Sequence, residues 1–431
     1  MRKVAPSELT REQVGALLRG EGVGEEEPTS LLVRLAVKQV AEEALEAVVR
    51  DMLGRGYYER REERPGYRNG RRTGRLKTSE GEVQYAVPQV RGIDAEPIAA
   101  LRERLSGRTE ALEKLAIEMY ARGCSTRDIE AVFSDEQGRA LLSRTAVSEV
   151  TEALWQEYEA FATRDLSDVK PLFLFIDGIA EKLRPGANRE AVLCAWAITW
   201  EGKKVLVHLA PGTKESTDCS TEFLEDLKRR GLSEPVLIVS DGAPGPIRAI
   251  EACFPSSLRQ RCLAHKMRNL AGKLPEAIQA EFAQAARAAY QAPSPAMARV
   301  LHDDLVERYT RQYPAAVRCF KEDFEACIAH LQCPPALRRV ARTTNLLERL
   351  FEEERRRTKT IATFFGERPV LKLMYAAVIR AADSWRGIRL GDFERSQLER
   401  LQEQLKEKHR QAVQAAKQPS TPDRFSSKDR T

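Results

Sequence analysis

Two apolar runs that each end in Asp-Gly constrain the fold of this chain more than any other feature. The run PLFLFIDG carries Asp177 before its final glycine, and PVLIVSDG carries Asp241 in the same position. Short apolar runs bounded by Gly and Pro are typical of strands buried in a sheet. A carboxylate that ends such a strand lies at the core edge, where a divalent cation is a natural counter-ion. Either Asp taken alone is more often a simple cap of a strand end.

The predicted elements after residue 171 follow the order of an α/β fold. We predict strands at 172–176, 191–199 and 205–209, a helix at 217–230, a strand at 236–239, a helix at 246–253 and a short strand at 258–261. Three consecutive strands followed by alternating helices and strands are the order of an RNase H-like core, in which the first three strands form a meander. The sequence therefore predicts an RNase H-like core whose first part spans residues 166–274.

A helical segment separates this first part from the rest of the core. Residues 275–335 have a mainly helical pattern, which we interpret as an α-helical insertion. Residues 336–410 are predicted to contain the closing helix of the core, at 344–358, and further C-terminal helices. The tail, 411–431, has few apolar residues and is predicted to be disordered.

The closing helix supplies a third carboxylate. In TTNLLERLFEEERRRT, Thr343 or Thr344 is available as the N-cap, and Asn345, Glu348 and Glu352 lie along one helix face. Together with the two aspartates, Glu348 would complete an oxygen-ligand site for two Mg²⁺ ions, or Mn²⁺ in their place. The backbone of Glu352 is roughly 6 Å further along the helix axis, so it is not an equivalent ligand.

The N-terminal part has a helical and then a basic pattern. Residues 31–53 carry apolar residues at helical spacing, which predicts a helical domain over 1–54 with an apolar face suited to dimerisation. Residues 55–77 combine Arg and Lys with Tyr and Gly, which predicts a flexible basic arm. The arm would contact DNA phosphates through residues that include Arg68, Arg71 and Arg72. A solvated charged loop is the alternative interpretation.

Three short helices are predicted after the arm. Two of them cover 110–122 and 125–133, and the third begins after Ser143. Arg144 lies in the first turn of the third helix, where a recognition helix would meet base edges. This pattern indicates a helix-turn-helix-like unit within a DNA-binding region at 55–165, although three short helices also form the commonest small helical bundle.

Composition sets the expected compartment. The formal net charge of +6 permits an anionic partner such as nucleic acid but does not establish one. Eight cysteines without paired Cys-x-x-Cys spacing indicate reduced thiols, and no apolar stretch approaches the roughly 20 residues that span a bilayer. Since the chain does not start with an export-signal pattern, we expect a cytoplasmic protein with no membrane partner.

Eight phrases, in the order in which they occur, carry a family resemblance. They are Tyr-x-Asn-Gly at 67–70, VPQVRG at 87–92, GCSTRDIE at 123–130, DGIAEKLR at 177–184, DLKRRGL at 226–232, SDG at 240–242, FPSSLRQRCLAHKMRNL at 254–270 and RTTNLLERL at 342–350. Their order and spacing are very specific, although no single phrase is decisive. Over most of its length the chain resembles the bacterial mutator-type insertion-sequence transposases.

The resemblance implies an Asp-Asp-Glu enzyme on an RNase H-like core. It identifies Asp177, Asp241 and Glu348 as the catalytic and metal-binding residues, with two Mg²⁺ or Mn²⁺ ions as cofactors. It implies binding to the terminal inverted repeats of an insertion element, strand cleavage, and strand transfer into target DNA. Because cutting and joining two element ends normally needs two catalytic subunits, we also expect a homodimer on DNA, with a nucleoid-associated location in the bacterial cytoplasm. The long spacing between Asp241 and Glu348 fits the family's habit of an α-helical insertion at this point.

Other residues near the predicted site have more than one interpretation. The resemblance places Cys262 and His265, a Cys-x-x-His pair, beside the active site. Two ligands make only half of a zinc site, so packing or substrate contact is favoured. Four basic residues are candidates for DNA phosphate contacts, although a solvated face explains the Arg-rich helix almost as well; they are Lys182, Arg184, Arg349 and Arg356.

The chain departs from the family's usual pattern at three positions. Ala180, Ala243 and Phe351 stand where the resemblance would place Tyr, His and Asn. All three changes remove polar groups. Two alternatives therefore stay open beside an active transposase: a transposase-derived protein that binds DNA without cutting it, and a nuclease on the same core.

Overall fold

The computed structural model describes residues 4–21, 27–59, 66–134, 139–181, 190–212, 219–358, 367–383 and 385–417. By its internal contacts the chain divides into two compact units, Met1–Ala153 and Leu154–Thr431. Within the described ranges, every helix is too short or too polar to cross a membrane.

The first unit combines helices with a small sheet. Its elements are α1 (Pro6–Leu18), α2 (Pro28–Leu53), β1 (Tyr67–Thr78), β2 (Gly81–Arg91), α3 (Glu96–Arg104), β3 (Gly107–Arg108), α4 (Glu110–Ala121), α5 (Thr126–Val132) and the first part of α6 (Arg144–Thr163). Strand β1 pairs antiparallel with β2 and parallel with β3. A three-stranded sheet therefore stands in the first half of the predicted DNA-binding region, where the sequence analysis predicts a flexible arm and later helices but no sheet.

The same sheet corrects the prediction of a flexible arm over 55–77, because the part from β1 onward is a strand. Buried Leu76 and Thr78 alternate along β1 with the more exposed Arg75 and Lys77. This period of two allows one face of the strand to join a core while the other remains basic. The density of Arg and Gly in the sequence hides that alternation.

Helix α2 covers the inner face of the β1–β2 hairpin. One apolar cluster joins Ala41, Leu45, Val49 and Leu53 of α2 to Leu76, Val83, Tyr85 and Val87 of the sheet. Part of the apolar face of the 31–53 helix is therefore covered inside the unit, while Val33 and Val40 remain exposed. The sequence alone does not reveal this cover, because it rests on the unpredicted hairpin.

The three short helices predicted after the arm are present as α4, α5 and α6. The side chain of Thr109 caps α4 by accepting a hydrogen bond from the backbone N–H of Leu112. Ser125 and Asp128 cap α5 reciprocally, each accepting a hydrogen bond from the backbone N–H of the other. These caps satisfy orphan donors at the helix starts and fix where the two helices begin.

The second unit is built on a five-stranded sheet. Its strands, in chain order, are β4 (Pro171–Glu181), β5 (Glu190–Thr199), β6 (Lys204–Pro211), β7 (Leu237–Ser240) and β8 (Leu258–Arg261), with α7 (Cys219–Arg229) before β7 and α8 (Pro244–Cys253) before β8. The spatial order is β6-β5-β4-β7-β8. The first three strands form an antiparallel meander, while β7 and β8 run parallel to β4. The predicted α/β class is confirmed.

Both faces of this sheet are covered, which explains the uninterrupted apolar runs in its strands. On one face, Phe173 and Phe175 of β4 pack in a cluster with residues of the C-terminal helices. On the other face, Leu174 and Ile176 pack with residues of α7 and α8. A strand that is buried on both sides needs apolar residues at consecutive positions.

Helices form the rest of the second unit. They are α9 (Leu263–Ala271), α10 (Glu276–Tyr290), α11 (Pro295–Tyr309), α12 (Pro314–Lys321), α13 (Phe324–Cys327), a 3-10 turn at Ala329–Gln332, α14 (Pro335–Arg338), α15 (Asn345–Thr358), α16 (Glu367–Asp383) and α17 (Asp392–Lys417). The predicted disordered tail is corrected at 411–417, which continue α17, and residues 418–431 lie outside the described residues.

The helical segment between β8 and α15 has its own apolar cluster, which includes Phe282, Tyr290 and Phe320. It leaves and rejoins the sheet at one place, because the backbone N–H of Leu263 donates to the carbonyl oxygen of Arg342 over 3.0 Å. The helical segment therefore begins and ends at the same place beside the sheet.

Candidate active site

The two predicted aspartates lie on or next to neighbouring parallel strands. Asp241 follows β7, whereas Asp177 lies inside β4, which continues to Glu181, so the predicted end of this strand at residue 176 is corrected. The register of β4 and β7 pairs Phe173 with Leu237 and Phe175 with Val239. Asp177 and Asp241 each lie two residues beyond the last pair of this register, and the charge of Asp241 acts on Asp177. Both carboxylates therefore belong to the same edge of the sheet. Because side chains alternate along a strand, the side chain of Asp177 lies on the same face as those of Phe173 and Phe175.

Asp177 is a buried carboxylate with only 7% of its surface exposed. Its Oδ1 accepts a hydrogen bond from the N–H of Gly178 at 2.9 Å, and its Oδ2 accepts one from the hydroxyl of Thr344 at 3.0 Å. Burial raises the pKa of Asp177, and the nearby charge of Asp241 acts in the same direction, while His265 opposes both. The site therefore has a deficit of positive charge near this carboxylate.

Asp241 lies in a tight turn between β7 and α8. Its Oδ1 accepts a hydrogen bond from the N–H of Ala243 at 3.0 Å. The next residue, Gly242, has a φ of +83°, a region that favours glycine, and a side chain there would collide with the guanidinium of Arg261. The glycine of the Asp-Gly pair thus allows both the turn and the close packing of Arg261.

Thr344 joins three segments of the site. Its side chain is fully buried, and besides Asp177 its hydroxyl contacts Cys262 Sγ at 3.3 Å. The backbone N–H of Thr344 points to the same sulfur at 3.4 Å. Cys262 is itself fixed beside β7, because its N–H donates to the carbonyl oxygen of Ser240 over 2.7 Å.

Cys262 and His265 form a coupled pair. A hydrogen bond with Cys262 raises the pKa of His265 to about 9, and the negative charge of Asp177 adds to this effect. Burial alone would raise the pKa of the Cys262 thiol, but hydrogen bonds with His265 and Thr344 lower it overall. At neutral pH the imidazole of His265 is therefore cationic and partly offsets the carboxylates.

Glu348 is turned toward α9. Its carboxylate forms an ion pair with Arg268 and lies 3.8 Å from His265 Nε2. The Arg268 side chain is 60% exposed, so this pair lies at the surface. Within the described part of the chain, no group of three or more His, Cys, Asp or Glu residues is arranged to hold a metal ion. Glu348 thus has a cationic partner other than a metal.

The remaining predicted residues around the carboxylates are placed as follows. Asn345 is exposed at the start of α15, and Arg356 is exposed further along the same helix. Lys182, Arg184 and the side chain of Arg349 lie outside the described residues.

The predicted DNA contacts of the first unit divide into two groups. Arg68 forms an ion pair with Glu46 that is largely shielded from solvent, so its charge is neutralised within the unit. Arg144 is paired with Glu130 at 2.6 Å. By contrast, Arg71 and Arg72 are exposed and have no ion-pair partner among the residues that the structure describes.

Sequence reasoning missed two residues that contact the site. It named Thr344 only as a possible helix cap, and it did not single out Arg268. The three-residue spacing of Cys262, His265 and Arg268 could have indicated Arg268, because residues at this spacing lie along one face of a helix.

The structure describes the side chains at two of the three positions where the chain departs from the family pattern. Phe351 is buried in the apolar cluster on one face of the sheet, and Ala243 precedes α8 without a side-chain cap. The side chain of Ala180 lies outside the described residues. At position 351 the apolar residue makes core contacts in place of a polar group.

Comparison with known proteins identifies the family. The model of the Transposase, Mutator family matches residues 10–387. The transposase for insertion sequence element ISRM5 of Rhizobium meliloti (strain 1021) is 31% identical over 355 residues, which cover 82% of this chain and 88% of that protein. The transposase for IS406 of Burkholderia multivorans (strain ATCC 17616 / 249) is 32% identical over 356 residues, covering 81% and 90%.

A solved structure is much less similar. The Drosophila P element transposase strand transfer complex aligns with 72% of this chain and 84% of its own at 12% identity and a TM-score of 0.28, which supports no inference. The family model and the two bacterial relatives, in contrast, agree over most of the chain. This protein belongs to the Mutator family of transposases.

Proposed function

We propose that this chain is an insertion-element transposase that cleaves and transfers DNA strands with a two-metal site formed by Asp177, Asp241 and Glu348. The observation that supports the proposal is the β4–β7 register, because Asp177 and Asp241 each come two residues after its last pair, Phe175 with Val239. A buried carboxylate next to a second carboxylate is a costly arrangement that a bound cation would stabilise.

We also propose that the five-stranded sheet is an RNase H-like core. An antiparallel meander of three strands, extended by two parallel strands with intervening helices, supports this assignment. In such a core the carboxylates come from the first and fourth strands and from a later helix, which correspond here to β4, β7 and α15.

The donor set has the chemistry that divalent cations require. Asp177, Asp241 and Glu348 supply oxygen ligands, which Mg²⁺ and Mn²⁺ prefer. When bound, the two ions would activate the attacking hydroxyl and stabilise the leaving oxygen. His265 compensates the carboxylate charge in the arrangement described here, and Thr344 holds the Asp177 carboxylate in one orientation.

Glu348 must leave Arg268 before it can act as a ligand. Their ion pair involves side chains that are 60% and 28% exposed. Such surface pairs contribute at most about 1 kcal/mol, so the exchange of Arg268 for a cation has a low cost. We therefore interpret the contact as a resting position of Glu348.

DNA is the proposed partner of the first unit. Its exposed cations Arg71 and Arg72 support binding to the terminal inverted repeats, and the second unit would receive target DNA. We further propose a homodimer on DNA in the bacterial nucleoid, since two element ends require two catalytic subunits. Because part of the apolar face of α2 is covered inside the unit, that part is not available to the dimer.

One observation favours a second candidate function. Phe351 is buried among apolar side chains at a position where the resemblance places Asn. A protein that lost this amide, together with the polar groups replaced by Ala180 and Ala243, would be a DNA-binding protein without cleavage. A nuclease is the third class, and it would cut element ends without joining them to a target.

Strand cleavage with a duplex of the element's end separates these functions. We expect Mg²⁺-dependent cleavage and joining by the wild-type chain, and neither reaction by Asp177→Asn or Asp241→Asn. Both variants should still bind the duplex, because the carboxylates would hold the metal ions and would not contact the flanking DNA. Binding without cleavage by the wild-type chain would establish the second candidate, and cleavage without joining the third.

A further inference from the structure

The outer face of the β1–β2 hairpin is a solvent-exposed basic surface. The inner face is defined by Leu76, Val83 and Tyr85, which pack against α2. Because side chains alternate along a strand, Arg71, Thr73, Arg75 and Lys77 lie on the opposite face. Their partners across the antiparallel register are Pro88, Ala86, Gln84 and Glu82. We refer to these eight residues as the ribbon face.

The positive charge of the ribbon face is largely not neutralised. Strand β1 carries five cations and no acid. Arg75 approaches Glu82 only to 3.8 Å, with 67% of its side chain exposed. Lys77, like Arg71, has no ion-pair partner among the residues that the structure describes. By contrast, Arg108 of the same unit is paired with Glu113. The ribbon face therefore retains cations that an anionic partner can use.

The shape and residue types of this face fit duplex DNA. The major groove of B-DNA admits a two-stranded ribbon, and Arg, Gln and Thr side chains are suited to base edges. Alternate residues on a strand are about 6.8 Å apart, which corresponds to two base steps of about 3.4 Å. The small Ala86 and the compact Pro88 on the neighbouring strand allow close approach to the bases.

Other nucleic acids fit less well. The major groove of double-stranded RNA is too deep and narrow for side chains to reach the bases. Single strands are held by stacking on aromatic rings, and the ribbon face contains no aromatic residue. The predicted recognition helix, α6, is a weaker candidate for sequence recognition. The side chain and the backbone N–H of Arg144 at its start both donate hydrogen bonds to the carboxylate of Glu130.

We propose that the β1–β2 hairpin enters the major groove of the element's terminal DNA. Arg71 and Arg75 contact base edges, while Lys77 contacts a flanking phosphate. The proposal rests on the proposed function, because it takes the element's end as the DNA bound. It assigns sequence recognition to the hairpin and not to α6.

The test measures binding to a terminal duplex and to a shuffled duplex of equal length at several salt concentrations. Arg71→Ala/Arg75→Ala should reduce the preference for the terminal duplex by about tenfold or more. Lys77→Ala should weaken binding to both duplexes equally and lower the salt-dependence slope by about 1. The control, Arg50→Ala/Arg104→Ala, removes two exposed cations from α2 and α3 and should change neither quantity.

The outcomes separate the two proposals. If the wild-type chain prefers and cuts the terminal duplex but the Arg71/Arg75 variant keeps that preference, the hairpin assignment fails and the proposed function stands. A loss of preference in Arg144→Ala alone would move recognition to α6. If the wild-type chain neither prefers nor cuts the terminal duplex, the proposed function fails and the hairpin assignment with it. Equal thermal unfolding of all variants excludes misfolding as the cause.

Discussion

Thr344 donates a hydrogen bond of 3.0 Å to Asp177, although the two residues are 167 positions apart in the chain. The bond connects the start of α15 to β4. Because Asp177 is buried, its carboxylate depends on such donors for the solvation that it has lost. The contact therefore ties the orientation of the first proposed ligand to the helix that carries the third.

Thr344→Val keeps the shape of the side chain but removes this donor. We expect Mg²⁺-dependent cleavage to fall by about tenfold, which corresponds to the roughly 1 to 2 kcal/mol of one buried hydrogen bond. DNA affinity should not change. Thr344→Ser serves as the control, because it keeps the hydroxyl and should restore most of the activity. Equal cleavage by the Val and wild-type proteins would show that the bond has no role in the site.

Glu348→Gln should keep the fold and DNA binding while abolishing cleavage and joining, because an amide cannot replace a carboxylate as a bridging or charged ligand of Mg²⁺. Glu352→Gln is the matched control on the same helix. Glu352 is exposed one turn further on, and this variant should retain measurable activity. An inactive Glu352 variant beside an active Glu348 variant would reverse the assignment of the third ligand.

Arg268→Gln removes the cation that competes for Glu348. Since the pair is at the surface, we expect the Mn²⁺ concentration for half-maximal binding to fall by no more than about fivefold. Calorimetric titration of the full chain measures this directly. Arg311→Gln, which removes an exposed cation just after α11, is the control and should leave the titration unchanged. Weaker Mn²⁺ binding by the Arg268 variant would contradict a resting position of Glu348.

His208 should make the protein less stable in acid. Burial lowers its pKa to about 3, and the nearby Arg230 and Arg164 act in the same direction. In the unfolded chain the imidazole takes up a proton near pH 6.5, while the folded chain takes it up only near pH 3. The free energy of unfolding therefore decreases as pH falls through this window, by about 2 kcal/mol between pH 6.5 and 5 from this residue alone.

Denaturant unfolding of wild-type and His208→Phe proteins at several pH values checks this effect. The difference in stability between the two should shift by about 2 kcal/mol in favour of the variant between pH 6.5 and 5. At pH 8 the imidazole of the wild-type protein is neutral in both the folded and the unfolded state. The difference in free energy of unfolding between wild type and variant at that pH therefore gives the packing cost of the substitution. A difference that does not change with pH would show that His208 is not the group responsible.

The order of strands in the second unit could be predicted because each strand is a short apolar run bounded by Gly, Pro or charged residues. The three helices α4 to α6 were predictable for a similar reason, since Ser125 and Gly123 mark their limits. The β1–β2 hairpin was not predictable by composition, because its outer face is as basic as a loop. Only Leu76, Val83, Tyr85 and Val87, at alternate positions, distinguish it from one.

The sequence indicated which residues are candidates for the site, but it did not indicate which contacts their side chains make. The Asp-Gly pairs after two apolar runs drew attention to Asp177 and Asp241, and a helical face drew attention to Glu348, but the run before Asp177 did not show that β4 continues to Glu181. The ion pair of Glu348 with Arg268 and the hydrogen bond from Thr344 depend on how α9 and α15 pack beside the sheet. Such packing between segments distant in sequence leaves no local pattern that one sequence displays.

The helical segment that leaves the sheet at Leu263 returns at Arg342, where one backbone hydrogen bond joins exit to entry. Residues inserted or deleted within this segment would change its length without separating its two ends. The contacts between Cys262 before the segment and Thr344 after it would be kept. The hydrogen bond that orients Asp177 is thereby insulated from such changes.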